Sequence, residues 1–173
     1  MDGSGRERTA ARALVDCLRA QGVERVFGVP GESYLAVLDA LRDAPEIALT
    51  PNRHEGGAAF MAEAWGKLTG APGVCFVTRG PGATNAAIGV HTAMQNSSPM
   101  VLFIGQVGTG MKGREAFQEI DYRAFFGPVA KWATEIERPE RAPEIVARAF
   151  AVAQTGRPGP VVVALPEDVL AEP

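Results

Sequence analysis

At 173 residues, with 46% hydrophobic and 21% charged side chains, the chain has the composition of one folded domain and not of a disordered or low-complexity segment. Its 17 basic and 20 acidic residues leave a net charge of −3 with no basic stripe, which argues against nucleic acid as a partner. The longest apolar stretches, such as 160–165, fall far short of the ~20 residues that cross a bilayer, so no membrane span is expected.

The opening run Met1-Asp2-Gly3-Ser4-Gly5-Arg6-Glu7-Arg8 is polar, lacks the apolar centre of a secretion signal, and reads as a disordered tail of a cytoplasmic protein. Over 9–21 the residues Ala13, Leu14, Cys17 and Leu18 recur at helical spacing, with Thr9 as N-cap and Gly22 as stop. A short apolar strand at 26–29 is broken by Pro30-Gly31 and followed by a helix over 33–41. The same alternation continues: strand 47–50 and helix 55–69, strand 74–78 and helix 84–94, strand 100–104, helix 142–155, strand 161–165. All-apolar strands alternating with helices predict an α/β fold, a doubly wound parallel sheet with helices on both faces, in a single domain over 9–167. Ligands of such sheets bind beyond the carboxyl ends of the strands, which selects the loops at 30–32, 52–57, 79–85 and 106–118. Cys17, in a helical pattern, and Cys75, in a strand pattern, read as separate structural thiols.

Familiar motifs fail on their context. Gly108-Thr109-Gly110-Met111-Lys112-Gly113 has dinucleotide-loop spacing, but residues 105–107 separate it from the strand and no acid follows at the required distance. His54-Glu55 lacks a second histidine at position 58, which is Ala58, so no metal site is expected there. Glu55 stands at the first turn of a helix beside a strand's carboxyl end, where a carboxylate either complements the helix dipole or handles protons. Gly80-Pro81-Gly82-Ala83-Thr84-Asn85 is either a tight turn with a cap or a place where backbone closely approaches a flat ligand.

Six segments in order carry a resemblance: Phe27-Gly28-Val29-Pro30-Gly31, Arg53-His54-Glu55, Val77-Thr78-Arg79-Gly80-Pro81-Gly82-Ala83-Thr84-Asn85, Gly105-Gln106-Val107, Ala116-Phe117-Gln118-Glu119 and Thr155-Gly156-Arg157-Pro158-Gly159-Pro160-Val161. Together they resemble the N-terminal, pyrimidine-binding domain of thiamine diphosphate enzymes of the acetolactate synthase and benzoylformate decarboxylase group. The resemblance implies six parallel strands, the fifth near 129–133. It implies that Glu55 hydrogen-bonds N1′ of the cofactor's aminopyrimidine and so activates the cofactor for decarboxylation or carboligation of a 2-keto acid. Pro30, Gly31, Pro81, Asn85 and Gln118 would line the cofactor's pyrimidine end, and Phe117 would wall the substrate space. Gly56 stands where the family more often has Gln, and Gly108 where its synthases often have Pro.

The family holds magnesium and the diphosphate through a Gly-Asp-Gly motif that is absent here, the single Asp-Gly pair being Asp2-Gly3. The resemblance therefore implies that Mg²⁺ sits on another domain or subunit, that the isolated chain is inactive, and that 168–173 begins a linker to a middle domain. A flavin (FAD), which family members carry mainly on that middle domain, is not assigned. A natural alpha subunit of a split decarboxylase, like the sulfopyruvate decarboxylases, is an alternative. So is a non-catalytic dimerisation or interaction module, since Ala86, Ala87, Gly89 and Ala93 permit close helix packing, either inside the domain or at an interface. A homodimer or higher even-numbered oligomer is implied in either case.

Overall fold

In the computed structural model, which describes residues 8–173, the Thr9 side chain accepts from the Arg12 N–H at 3.4 Å and caps helix α1 (Ala10–Ala20). Gly22 follows in the left-handed region at φ +72°, as the sequence predicts for the stop. The chain then runs through β1 (Arg25–Gly28), a 3-10 turn (Glu32–Tyr34), α2 (Leu35–Arg42), β2 (Ala48–Pro51), α3 (Glu55–Thr69) and β3 (Gly73–Val77). It continues through α4 (Gly80–Asn96), β4 (Met100–Gln106), α5 (Tyr122–Phe126), β5 (Trp132–Glu135), α6 (Ala142–Gln154), β6 (Pro160–Pro166) and α7 (Glu167–Ala171). Residues 1–7, the greater part of the expected N-terminal tail, lie outside the described residues.

All strand pairs are parallel, in the order β2-β1-β3-β4-β6-β5. Every residue of β3, β4 and β6 is buried, so each of these strands needs cover on both faces. Successive side chains alternate accordingly. Val74, Phe76, Val101, Phe103, Val161 and Val163 pack with α1, α2, α6 and α7 on one face. Cys75, Val77, Leu102, Ile104, Val162 and Ala164 pack with α3, α4 and α5 on the other. The α/β doubly wound class read from the sequence is the observed one. Cys17 and Cys75 are both free thiols, and no helix among the described residues is long and apolar enough to cross a membrane.

Three boundaries differ from the sequence reading. The fifth strand begins at Trp132, not Val129, because the N–H groups of Val129 and Ala130 both turn back onto the Phe126 carbonyl. As a four-residue, half-buried edge strand it carries little apolar signal. Helix α4 begins at Gly80 and not Thr84: proline is suited to the first helical turn, so Pro81 starts the helix where a loop was expected. Helix α7 runs on into the stretch 168–173 that reads as leaving the domain, with Val169 and Leu170 buried and the Glu172 carbonyl accepting from the Ala10 N–H.

Helices α3 and α4 pack through small residues, Ala58, Ala59 and Ala62 against Ala86, Gly89, Val90 and Ala93. A Cβ at Gly89 would lie 2.5 Å from the Ala59 Cβ, inside van der Waals contact. The small residues of α4 thus serve packing within the domain. Farther along the two helices, the buried Glu63 carboxylate accepts from the Asn96 amide at 3.0 Å and the Ser98 hydroxyl at 2.7 Å.

Two predictions follow from this packing. Gly89→Leu forces α3 and α4 apart and lowers unfolding stability by about 1–3 kcal/mol in denaturant titration, the usual cost of overpacking; unchanged stability would contradict the contact. The second concerns Asp168, whose carboxylate is opposed by burial but accepts from the Thr109 N–H and hydroxyl and from the Val169 N–H, which together hold its pKa below the ordinary aspartate value. A depressed carboxyl stabilises the folded state above its unfolded pKa of about 3.9 and loses that contribution as pH falls through the folded value. Thermal melts of Asp168→Asn and of the parent should therefore differ at neutral pH and converge in acid; a constant difference down to pH ~2 would refute the link.

Candidate functional site

The strand order reverses direction between β1 and β3: β2 lies on one side of β1, while β3 and the later strands lie on the other. At such a switch point the loops leaving the two strands diverge onto opposite faces and open a crevice at the carboxyl edge. The turn after β1, Val29-Pro30-Gly31, and the junction after β3, Thr78-Arg79-Gly80, meet there. A Cβ on Gly31 would stand 2.7 Å from the Thr78 Cβ, so only glycine allows the two loops to touch. Across the same junction the Ser33 and Thr78 hydroxyls lie 2.9 Å apart. The Tyr34 hydroxyl donates to the Val29 carbonyl at 2.5 Å, just ahead of Pro30. Burial, followed by the nearby Cys75 and Glu55, raises the Tyr34 pKa and keeps that hydroxyl protonated as a donor.

Glu55 enters this crevice from the start of α3. His54, extended at φ −153°, is the N-cap, its Nδ1 accepting from the Gly56 N–H at 3.0 Å. With His54 taking that cap bond, the Glu55 side chain is free to point elsewhere, and the Asn85 amide of α4 donates to its Oε2 at 3.0 Å. The other oxygen, Oε1, faces Gly82: a Cβ there would sit 3.5 Å from Oε1 and 3.1 Å from the Thr78 methyl. The absence of a side chain at Gly82 leaves a bare patch of backbone next to a carboxylate oxygen. Burial and then Glu55 also raise the pKa of Cys75, which lies on the same face of the sheet as α3 and α4.

The loop after β4 closes in from the side. Gln118 adopts φ +65° and its carbonyl accepts from the Gly80 N–H at 2.9 Å, tying the loop to the first turn of α4. A Cβ at Gly80 would meet that carbonyl at 2.8 Å. Glu119 braces the loop by accepting from the N–H groups of Gly113 at 2.7 Å and Ala116 at 3.2 Å, which offsets the strained backbone at Gln118. Phe117 projects into solvent at 72% exposure.

Of the residues singled out from the sequence, Glu55 and Asn85 are in direct contact. Gly31 joins them through Thr78 and Gly82, and Gln118 through its backbone to Gly80. Pro30 and Pro81 are exposed neighbours on the turn after β1 and the first turn of α4, and Phe117 is exposed on the β4 loop. Two contributors escape a reading of the sequence, whereas Gly82 lies in the glycine-proline segment it singled out. His54 could have been found as a side-chain acceptor immediately before the helix start. Thr78 carries no local signal, since its role lies in what it touches. Among the described residues no three His, Cys, Asp or Glu are grouped to hold a metal ion. A separate concavity lined by Gln106, Lys112, Glu119, Tyr122, Thr134 and Glu135 shares no residue with the Glu55 and Asn85 pair.

Comparison with known proteins gives this geometry a family. Residues 8–125 match the family described as thiamine pyrophosphate enzyme, N-terminal TPP binding domain. The chain is 45% identical over 159 residues to a probable acetolactate synthase large subunit of Methanocaldococcus jannaschii, covering 92% of this chain and 27% of that protein. It is 45% identical over 163 residues to the acetolactate synthase of Bacillus subtilis, covering 94% of this chain and 28% of the relative. Over 162 residues it is 44% identical to the isozyme 3 large subunit of Escherichia coli acetolactate synthase, again 94% and 28% of the two lengths. The chain thus spans between a quarter and a third of the curated relatives it matches. It belongs to the thiamine pyrophosphate enzyme family, whose N-terminal TPP-binding domain it forms.

Proposed function

We propose that this chain is the aminopyrimidine-binding half of a thiamine diphosphate site acting on a 2-keto acid in acetolactate-synthase-like chemistry, with Glu55 as its proton-handling group. The contact between Glu55 and Asn85 beside the bare Gly82 carries the reading. Gly82 places backbone and not a side chain beside Oε1, and such close approach of backbone to a carboxylate supports a flat heteroaromatic ring as the ligand. When bound, thiamine diphosphate supplies the carbon nucleophile and the electron sink that 2-keto acid chemistry requires.

The chain's own residues orient that chemistry and handle its protons. The Asn85 amide occupies Oε2 and so fixes the rotation of the carboxyl group, directing Oε1 at the ring-facing space. Glu55 would hold or exchange a proton at Oε1 with a ring nitrogen of the bound cofactor, the work of a general acid-base held in one geometry. Gly82 lies beside Oε1 with Thr78 and then Gly31 behind it, and the Gln118 backbone closes the side next to Gly80.

Pro81, Thr84 and Asn85 are exposed, so the pyrimidine side is open to a second protein surface. That openness, with relatives more than three times as long as this chain, supports a diphosphate- and Mg²⁺-holding domain or subunit as the other half. The exposed Phe60, Met61 and Ile88 on α3 and α4 support an even-numbered assembly that covers the same edge.

In the complete enzyme, Glu55→Gln should lower kcat by about 10²–10⁴-fold, the typical worth of general acid-base catalysis, without shifting the thermal midpoint; near-normal turnover would sink the assignment. The 173-residue chain alone, given thiamine diphosphate and Mg²⁺, should not decarboxylate 2-keto acids. A measurable rate would overturn the two-halves reading.

A further inference from the structure

Arg79 follows β3 and precedes α4, and only 7% of it is exposed. Its Nη1 donates to Glu32 Oε1 at 3.0 Å, and its Nη2 donates to Glu167 Oε2 at 2.6 Å. Glu32 belongs to the 3-10 turn after β1, and Glu167 opens α7 directly after β6. In the sheet β1 adjoins β3, whereas β6 lies two strands away with β4 between them. One guanidinium therefore ties together the carboxyl ends of three strands across the middle of the sheet. Its Nε–H is buried without an acceptor among the described residues, so the two ion pairs alone hold the group in its seat.

The residue type matters. A planar guanidinium is charged at every relevant pH and sends donors in separate directions, which suits two carboxylates on different loops; a lysine ammonium is a single point of charge. The two glutamate side chains are 72% and 46% exposed, while the arginine is enclosed. Removing a carboxylate leaves an enclosed charge short of a partner, whereas removing the arginine releases both loops to solvent.

The turn that Glu32 anchors contains Pro30 and Gly31. Tyr34 grips its near end through the Val29 carbonyl, and the Ser33 and Thr78 hydroxyls meet alongside. Those are neutral hydrogen bonds, one within the connection after β1 and one between the ends of β1 and β3; the Arg79 pairs are charge-assisted and reach β6 as well. We infer that Arg79 is a positioning residue that clamps the Pro30-Gly31 turn against Thr78 and thereby fixes the width of the cofactor-facing crevice near Glu55. This rests on the pyrimidine-site reading of the Glu55 cluster.

The test uses the complete protein, with and without thiamine diphosphate. Without cofactor, Arg79→Ala should speed amide exchange over 31–34 by about tenfold or more, because local opening loses its charged tie. With cofactor, it should raise the half-saturating thiamine diphosphate concentration about tenfold while kcat changes less, the loss expected of one charge-assisted contact. Arg79→Lys should recover part of both effects. Glu32→Gln should produce part of them alone and add nothing on top of Arg79→Ala, the non-additivity of two residues acting through one contact. Unchanged exchange and half-saturation in folded Arg79→Ala, or additive effects with Glu32→Gln, would overturn the inference. Should Arg79→Ala fail to fold, unchanged exchange and half-saturation in Glu32→Gln would overturn it instead. Loop exchange separates this inference from the reading beneath it: near-normal turnover of Glu55→Gln removes the pyrimidine site but leaves the clamp measurable.

Discussion

The close approach of α3 and α4 is the constraint on which the candidate site depends. Residues four apart on a helix lie on one face, one turn above the other. Ala59 is four residues beyond Glu55 and Gly89 four beyond Asn85, so the contact between Ala59 and Gly89 lies one turn along from the carboxylate and amide that meet. Both helices start at the carboxyl edge of a parallel sheet and run away from it side by side. Their register therefore sets the separation of their first turns. Larger side chains at Ala59 or Gly89 would separate the helices and with them Glu55 from Asn85. Farther along, Glu63 bonded to Asn96 and Ser98 fixes the same register with a partly buried polar cluster, whose partners must align for all of its bonds to form.

Around that seam the parallel sheet delivers its loops to a single edge, and the loops differ in how they are held. The turn after β1 is fastened by Tyr34, by the Ser33 and Thr78 hydroxyls and by Arg79. The long connection after β4 is held by its backbone: the Gly80 N–H takes the Gln118 carbonyl, Glu119 takes two N–H groups, and Asp168 takes the Thr109 N–H and hydroxyl. Because Asp168 and Glu167 both belong to α7, the helix after β6 connects the two loops. Small changes in α7 would thus reach both walls of the crevice.

Under the proposed function, this arrangement lets half a site be a coherent object. Nearly everything that shapes the crevice lies within the domain: the helix seam, the glycines that let loops touch, and the ion pairs at strand ends. The exposed outer surfaces of α3 and α4, with Phe60, Met61 and Ile88, leave apolar area where a further protein surface would complete the enclosure.

The linear pattern of residues determines the α/β class, because fully buried strands such as Val161 to Leu165 can persist only in a sheet covered on both faces. It also determines where α3 ends, at a left-handed Gly70 that serves as the expected stop. Short, half-exposed β5 and the glycine-proline start of α4 were not legible, since neither has the periodicity that burial imposes. Only the tertiary structure decided which residues meet. Asn85 reaches Glu55 across 30 positions, and Arg79 reaches Glu32 and Glu167 across 47 and 88, separations over which no local pattern operates. Those contacts follow from strand order and helix spacing, both set by how the whole chain buries its apolar surface at once.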